Sequence, residues 1–225
     1  INSMYLSTTS SYSTAIGRNA LVSGGSNSVA IGYQALASNT ASNNTAVGFE
    51  AGYSNTSGIG ITALGTQALR TNTTGEGNVA IGGSWVGTIS AALYSNTTGS
   101  SNTAVGVGSL VSNTTGSQNT SYGALSGVIN ATGSNNTSMG YSALYNNTAS
   151  NNTAVGYEAG FSNTSGVRIT AIGYQTLVSN STGAYNTALG FQAVNANTTG
   201  LNNTGLGSQA LYSNTTASSN TAVGY

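Results

Sequence analysis

Short apolar alternations recur along the chain, separated by runs of Asn, Thr, Ser and Gly. Thr45-Ala46-Val47, Thr103-Ala104-Val105 and Thr153-Ala154-Val155 each lead into a Gly, and Val29-Ala30-Ile31 and Val79-Ala80-Ile81 are variants of the same triplet. A period of two predicts a short strand at every recurrence. Ranked by hydrophobicity, the outer two positions, such as Thr153 and Val155, are expected to face the interior, and the invariant middle Ala154 to lie against a neighbour. After the Gly comes an aromatic residue in many copies, then an Ala-Leu pair such as Ala35-Leu36 or Ala143-Leu144, which reads as a second short strand.

Taking the Gly as a marker gives thirteen units, from Gly17 to Gly224, with most successive markers 17 residues apart. A short fixed period of this kind belongs to solenoids whose units cannot fold alone. Seven residues after most markers stands an Asn: Asn39, Asn55, Asn72, Asn113, Asn130, Asn147, Asn163, Asn180, Asn197 and Asn214. Asn96 joins them once a seven-residue insertion at 83–89 is discounted. Asn tolerates tight corners and its amides can bond from coil to coil, so these positions form a structural Asn ladder, and Asn152 is placed at the same corner. The fold class is therefore all-β: a parallel β-solenoid of about 13 coils with a 17-residue period, in a single array over 1–225. At a rise of about 4.8 Å per coil it is a rod roughly 60 Å long. A longer repeat overlies the coil: NNTAVGFEAGYSNTSGIGITALG from Asn43 returns as NNTAVGYEAGFSNTSGVRITAIG from Asn151, a block duplication with an offset of 108 residues or six coils.

NSVAIGYQALASN at Asn27–Asn39 and NVAIG at Asn78–Gly82 resemble the repeats in the heads of trimeric autotransporter adhesins. The string from Leu93 to Gly106, repeated around Leu177 to Gly190, is similar to repeats of phage tail fibres and bacterial surface proteins. The resemblance implies a left-handed β-roll, side-by-side packing as a homotrimer, and a place outside the cell, at a cell surface or in a virion fibre. It carries no catalytic residue, and the period here is longer than is usual for the adhesin heads.

Composition narrows the chemistry. Three basic and three acidic side chains in 225 residues leave no field to gather nucleic acid or anionic lipid. No apolar run is long enough to insert in a membrane. With no His and no Cys, the usual imidazole base, thiolate nucleophile and common metal ligands are missing, so no enzyme activity, cofactor or metal is expected. Glu50 and Glu158 match across the duplication, but six coils, roughly 29 Å, separate them, against about 10 Å for a glycosidase pair. Arg18, Arg70 and Arg168 form no stripe, and the many Asn-X-Ser/Thr sequons are explained by the ladder without sugar.

The function these features imply is structural or adhesive: a stiff, uncharged segment of an extracellular fibre. The spacing of the first and last markers also suggests end-to-end stacking into a polymer. The alternative is a glycan- or receptor-binding module using the aromatic file Tyr141, Tyr157, Tyr174 and Phe191, together with Trp85 in the inserted loop. A minor alternative is ice binding by the Thr residues that follow the ladder Asn, such as Thr56 and Thr164.

Overall fold

A computed structural model describes residues 11–84 and 90–225. The chain divides into two compact units, Ile1–Gln118 and Asn119–Tyr225. The first carries β1 (Thr14–Ile16), β2 (Val29–Ile31), β3 (Thr45–Val47), β4 (Thr62–Leu64), β5 (Val79–Ile81) and β6 (Thr103–Val105). The second carries β7 (Thr120–Tyr122), β8 (Thr137–Met139), β9 (Thr153–Val155), β10 (Thr170–Ile172), β11 (Thr187–Leu189), β12 (Thr204–Leu206) and β13 (Thr221–Val223). Within each unit the strands pair in chain order, parallel and in register, as in Thr45 opposite Thr62 and Ala154 opposite Ala171. Each strand is one coil of the expected parallel β-solenoid, and the described residues contain no helix.

The phase of the strands is opposite to the expectation. Ala46, Ala104, Ala154 and Ala188 are fully buried, whereas Ile16, Leu64, Tyr122, Met139 and Leu189 on the flanking positions are exposed. Ala is the interior residue because the coil is thin: the strand meets the returning half of its own coil, and only a methyl group fits between them. The core is completed by the Ala-Leu pair of that returning half, with Leu36, Leu69, Leu144 and Leu177 almost fully covered. One cluster of this kind lies in each unit.

The returning half is not a second strand. Its residues form successive turns, with left-handed backbone at two alternate positions, Gln34 (φ 56°) and Leu36 (φ 51°), or Gln175 (φ 49°) and Leu177 (φ 51°). A left-handed Leu costs roughly 1–2 kcal/mol, which burial of its side chain, worth about 1.5–3 kcal/mol, offsets. The backbone still bonds from coil to coil there: Leu36 N–H donates to Ala51 O at 3.0 Å and Leu144 N–H to Ala159 O at 2.9 Å. At the marker glycines the backbone is again left-handed, as at Gly156 (φ 134°), and a Cβ there would collide with the carbonyl oxygen of Gly173 in the following coil.

The duplicated blocks contain a matched exchange in the core. Gly52 and Gly160, like Gly127, occupy the position of the buried Leu, and one coil after the first two Ile61 and Ile169 occupy a position held in most other coils by Asn. A Cβ on Gly160 would lie 3.0 Å from Leu144 Cδ2 and 3.4 Å from Ile169 Cδ1. The isoleucine fills the volume that the missing leucine leaves, so the packing density of the interior is preserved.

Candidate functional site

The ladder asparagines line one inner corner of each coil. In the first unit Asn55 Nδ2 donates to Asn39 Oδ1, Asn72 to Asn55, Asn96 to Asn72 and Asn113 to Asn96, each at 2.7 Å. In the second, Asn163 donates to Asn147 at 2.7 Å, Asn180 to Asn163 at 2.8 Å, Asn197 to Asn180 at 2.9 Å and Asn214 to Asn197 at 3.2 Å. The remaining proton of each amide goes to a carbonyl at the corner, such as Asn163 Nδ2 to Gly166 O at 2.9 Å. All but Asn214 are buried, so the amides are held dry and pointed the same way. Asn130 stands outside the bonded run: its Nδ2 donates to Gly133 O at 2.9 Å, while its Oδ1 is buried without a partner, as is Asn113 Oδ1.

A second buried Asn file, four residues before the marker, was not separated from the first in the sequence. It includes Asn44, Asn78, Asn102, Asn119, Asn136, Asn152, Asn186 and Asn203. Asn152 belongs here and not to the ladder itself. Its Nδ2 donates to Asn147 Oδ1 and to Gly166 O, both at 2.9 Å, and its Oδ1 accepts the Ile169 backbone N–H at 3.1 Å. This file satisfies the backbone at the entry to each strand, where the chain turns out of the corner. The NNT and SNT spelling that precedes each strand was the available signal.

The Thr file beside the ladder is also engaged. Thr56 Oγ1 donates to Thr73 O at 2.9 Å, Thr97 to Thr114 O at 3.1 Å and Thr164 to Ser181 O at 2.9 Å. Each hydroxyl proton is thus spent on the next coil, and the oxygen faces outward as an acceptor only.

The aromatic file is brought together as a stack. Tyr141 and Tyr157 have ring centroids 5.5 Å apart, Tyr157 and Tyr174 5.2 Å, and Tyr174 and Phe191 5.4 Å, with planes within 12° of parallel. The first unit has the pair Tyr33–Phe49 at 5.3 Å, and a second file in the other unit pairs Tyr145 with Phe161 at 5.2 Å. Sugar rings bind aromatic faces, and in these stacks the faces cover each other, leaving edges and hydroxyls outward. Trp85 lies outside the described residues.

Two of the few charges form an ion pair. Arg70 Nε donates to Glu50 Oε2 at 2.7 Å, Gln67 Nε2 donates to the same oxygen at 3.1 Å, and the guanidinium lies 5.3 Å from the Tyr53 ring centre and 5.9 Å from that of Tyr94. Burial acts to raise the Glu50 carboxyl, but the hydrogen bonds from Arg70 and Gln67 and the guanidinium charge outweigh it and hold the group below its ordinary value. Glu158, its counterpart, accepts Gln175 Nε2 at 2.8 Å. Arg168 donates to Tyr185 Oη at 2.6 Å. Serines replace core alanines at neighbouring positions: Ser138 Oγ donates to Ser121 Oγ at 2.9 Å, and Ser121 donates to Ser126 O at 3.0 Å. Among the described residues there is no group of His, Cys, Asp or Glu that could hold a metal, and no helix long and apolar enough to cross a membrane. No family model matches the chain, and the searches of curated proteins and solved structures likewise return no match.

Proposed function

We propose that the chain is a structural segment of an extracellular fibre, a head or stalk that spaces or presents a binding end, without catalysis. The observation that carries this reading is the bonded run of buried amides in each unit, which ties successive coils together through side chains as well as backbone from Asn39 to Asn113 and from Asn147 to Asn214. Stacked, dry hydrogen bonds resist bending and digestion, and a surface with almost no charge attracts no polyelectrolyte. Self-association into a homotrimer fits the same reading. Its surface is the outward aliphatic positions of the strands and the exposed aromatics, because the Ala file once expected to meet a neighbour is interior. Glycan binding by the aromatic file has less support, since stacking leaves ring faces available only at the ends of each run.

Antibody raised against the purified chain should decorate filaments on the cell or virion that makes it, and native mass should be three times the 22.2 kDa of one chain. Label confined to the cytoplasm would overturn the fibre assignment. A single-chain mass would overturn the trimer alone.

A further inference from the structure

Most stacked aromatic pairs among the described residues join a tyrosine to a phenylalanine, but one run differs. Tyr141, Tyr157 and Tyr174 stack consecutively, at 5.5 and 5.2 Å with planes 12° and 9° from parallel. These are the two tyrosine–tyrosine stacks among the described residues; Tyr33 faces Phe49, Tyr145 faces Phe161, and Tyr174 faces Phe191 on its other side. All three rings are more than two-fifths exposed, so they reach solvent oxidants and have room to pivot about the Cα–Cβ and Cβ–Cγ bonds. Register fixes like atoms of neighbouring rings about one coil rise apart, which holds two phenols together at a far higher effective concentration than free encounter gives.

We propose that Tyr157 is a site of oxidative modification, coupling with Tyr174 or Tyr141 to a dityrosine that covalently staples successive coils of the second unit. The co-reactant is a one-electron oxidant of the haem peroxidase class supplied with hydrogen peroxide. Each of two phenols gives up one electron to the oxidant and its phenolic proton to base, leaving two phenoxyl radicals. Their ring carbons ortho to oxygen join in one new C–C bond, and the two hydrogens on those carbons move to the oxygens as the rings regain aromaticity. The sum is two tyrosines and one hydrogen peroxide giving one dityrosine and two waters. Tyr157 has a base next to it in the chain: the Glu158 carboxylate, whose influence raises the phenol above its ordinary value and keeps it protonated until it is oxidised. This inference is independent of the fibre reading, because it requires only the folded stack.

The test treats dilute purified chain with a haem peroxidase and hydrogen peroxide, then reads dityrosine fluorescence, intact mass and cross-linked peptides. The expected product is a single chain lighter by two hydrogens, with Tyr157 linked to Tyr174 or Tyr141. Tyr157→Phe keeps the stack and should lower the intramolecular yield at least tenfold, whereas Tyr33→Phe, in a tyrosine–phenylalanine stack, should leave it unchanged. Glu158→Gln should slow the coupling severalfold without moving its position. Intramolecular dityrosine that persists in Tyr157→Phe, or cross-links found only between chains, would overturn the proposal.

Discussion

Val194 is a β-branched residue held at φ 51°, in a file otherwise made of Leu and Gly, and its strain is matched by a change in the facing strand. Gly205 stands in β12 where other coils have the interior Ala, and a Cβ added there would lie 2.6 Å from Val194 Cγ2. The branch of the valine occupies the space of the missing methyl. Gly205→Ala should therefore destabilise the protein by about 1–3 kcal/mol through overpacking, and Val194→Leu in the same chain should recover most of it, read as urea midpoints. Failure of the second change to rescue the first would show that the two sites do not share one volume. The same scale explains the inverted strand phase. Period two is legible in Thr153-Ala154-Val155, but it fits either face inward, and hydrophobicity favoured the wrong one. The discriminating signal was tolerance: the position of Val155 also accepts Tyr122 and Met139, as only an outward site in a thin coil can, while the middle position never exceeds Ser or Ala in size.

At the scale of the coil, the marker Gly and the ladder Asn were legible because each answers a backbone demand that few residues meet. The returning half was not, since Ala143-Leu144 looks apolar in any conformation and nothing in the letters announces a left-handed Leu (φ 50°). The block duplication was legible as letters, but its physical content, the exchange of Leu and Asn for Gly and Ile, needed the packing of Gly160 against Leu144 and Ile169. Gly160→Leu alone should cost about 1–3 kcal/mol by overcrowding Ile169. Ile169→Asn alone opens space and should also be destabilising, by about 2 kcal/mol or more. The double variant rebuilds the arrangement of the other coils, so its urea midpoint should lie above both single variants; additive losses would refute the compensation.

At the scale of the whole molecule, the sequence announced a neutral repeat protein whose interior is partly polar. It did not separate the two asparagine files, because their letters alternate along one polar run and only the folded corner places Asn147, Asn152 and Asn163 around shared hydrogen bonds. The Asn ladder makes each unit cooperative beyond nearest-neighbour stacking. Native-state hydrogen exchange on the protein and on its Asn163→Ala variant tests this most directly. The substitution strands Asn180 Nδ2 without the Asn163 oxygen it donates to and removes a donor from Asn147 Oδ1. A loss of about 2 kcal/mol should then speed the slowest amides of β8 to β12 together by roughly 30-fold. Faster exchange confined to the coil of residue 163, with the other strands unchanged, would contradict the account.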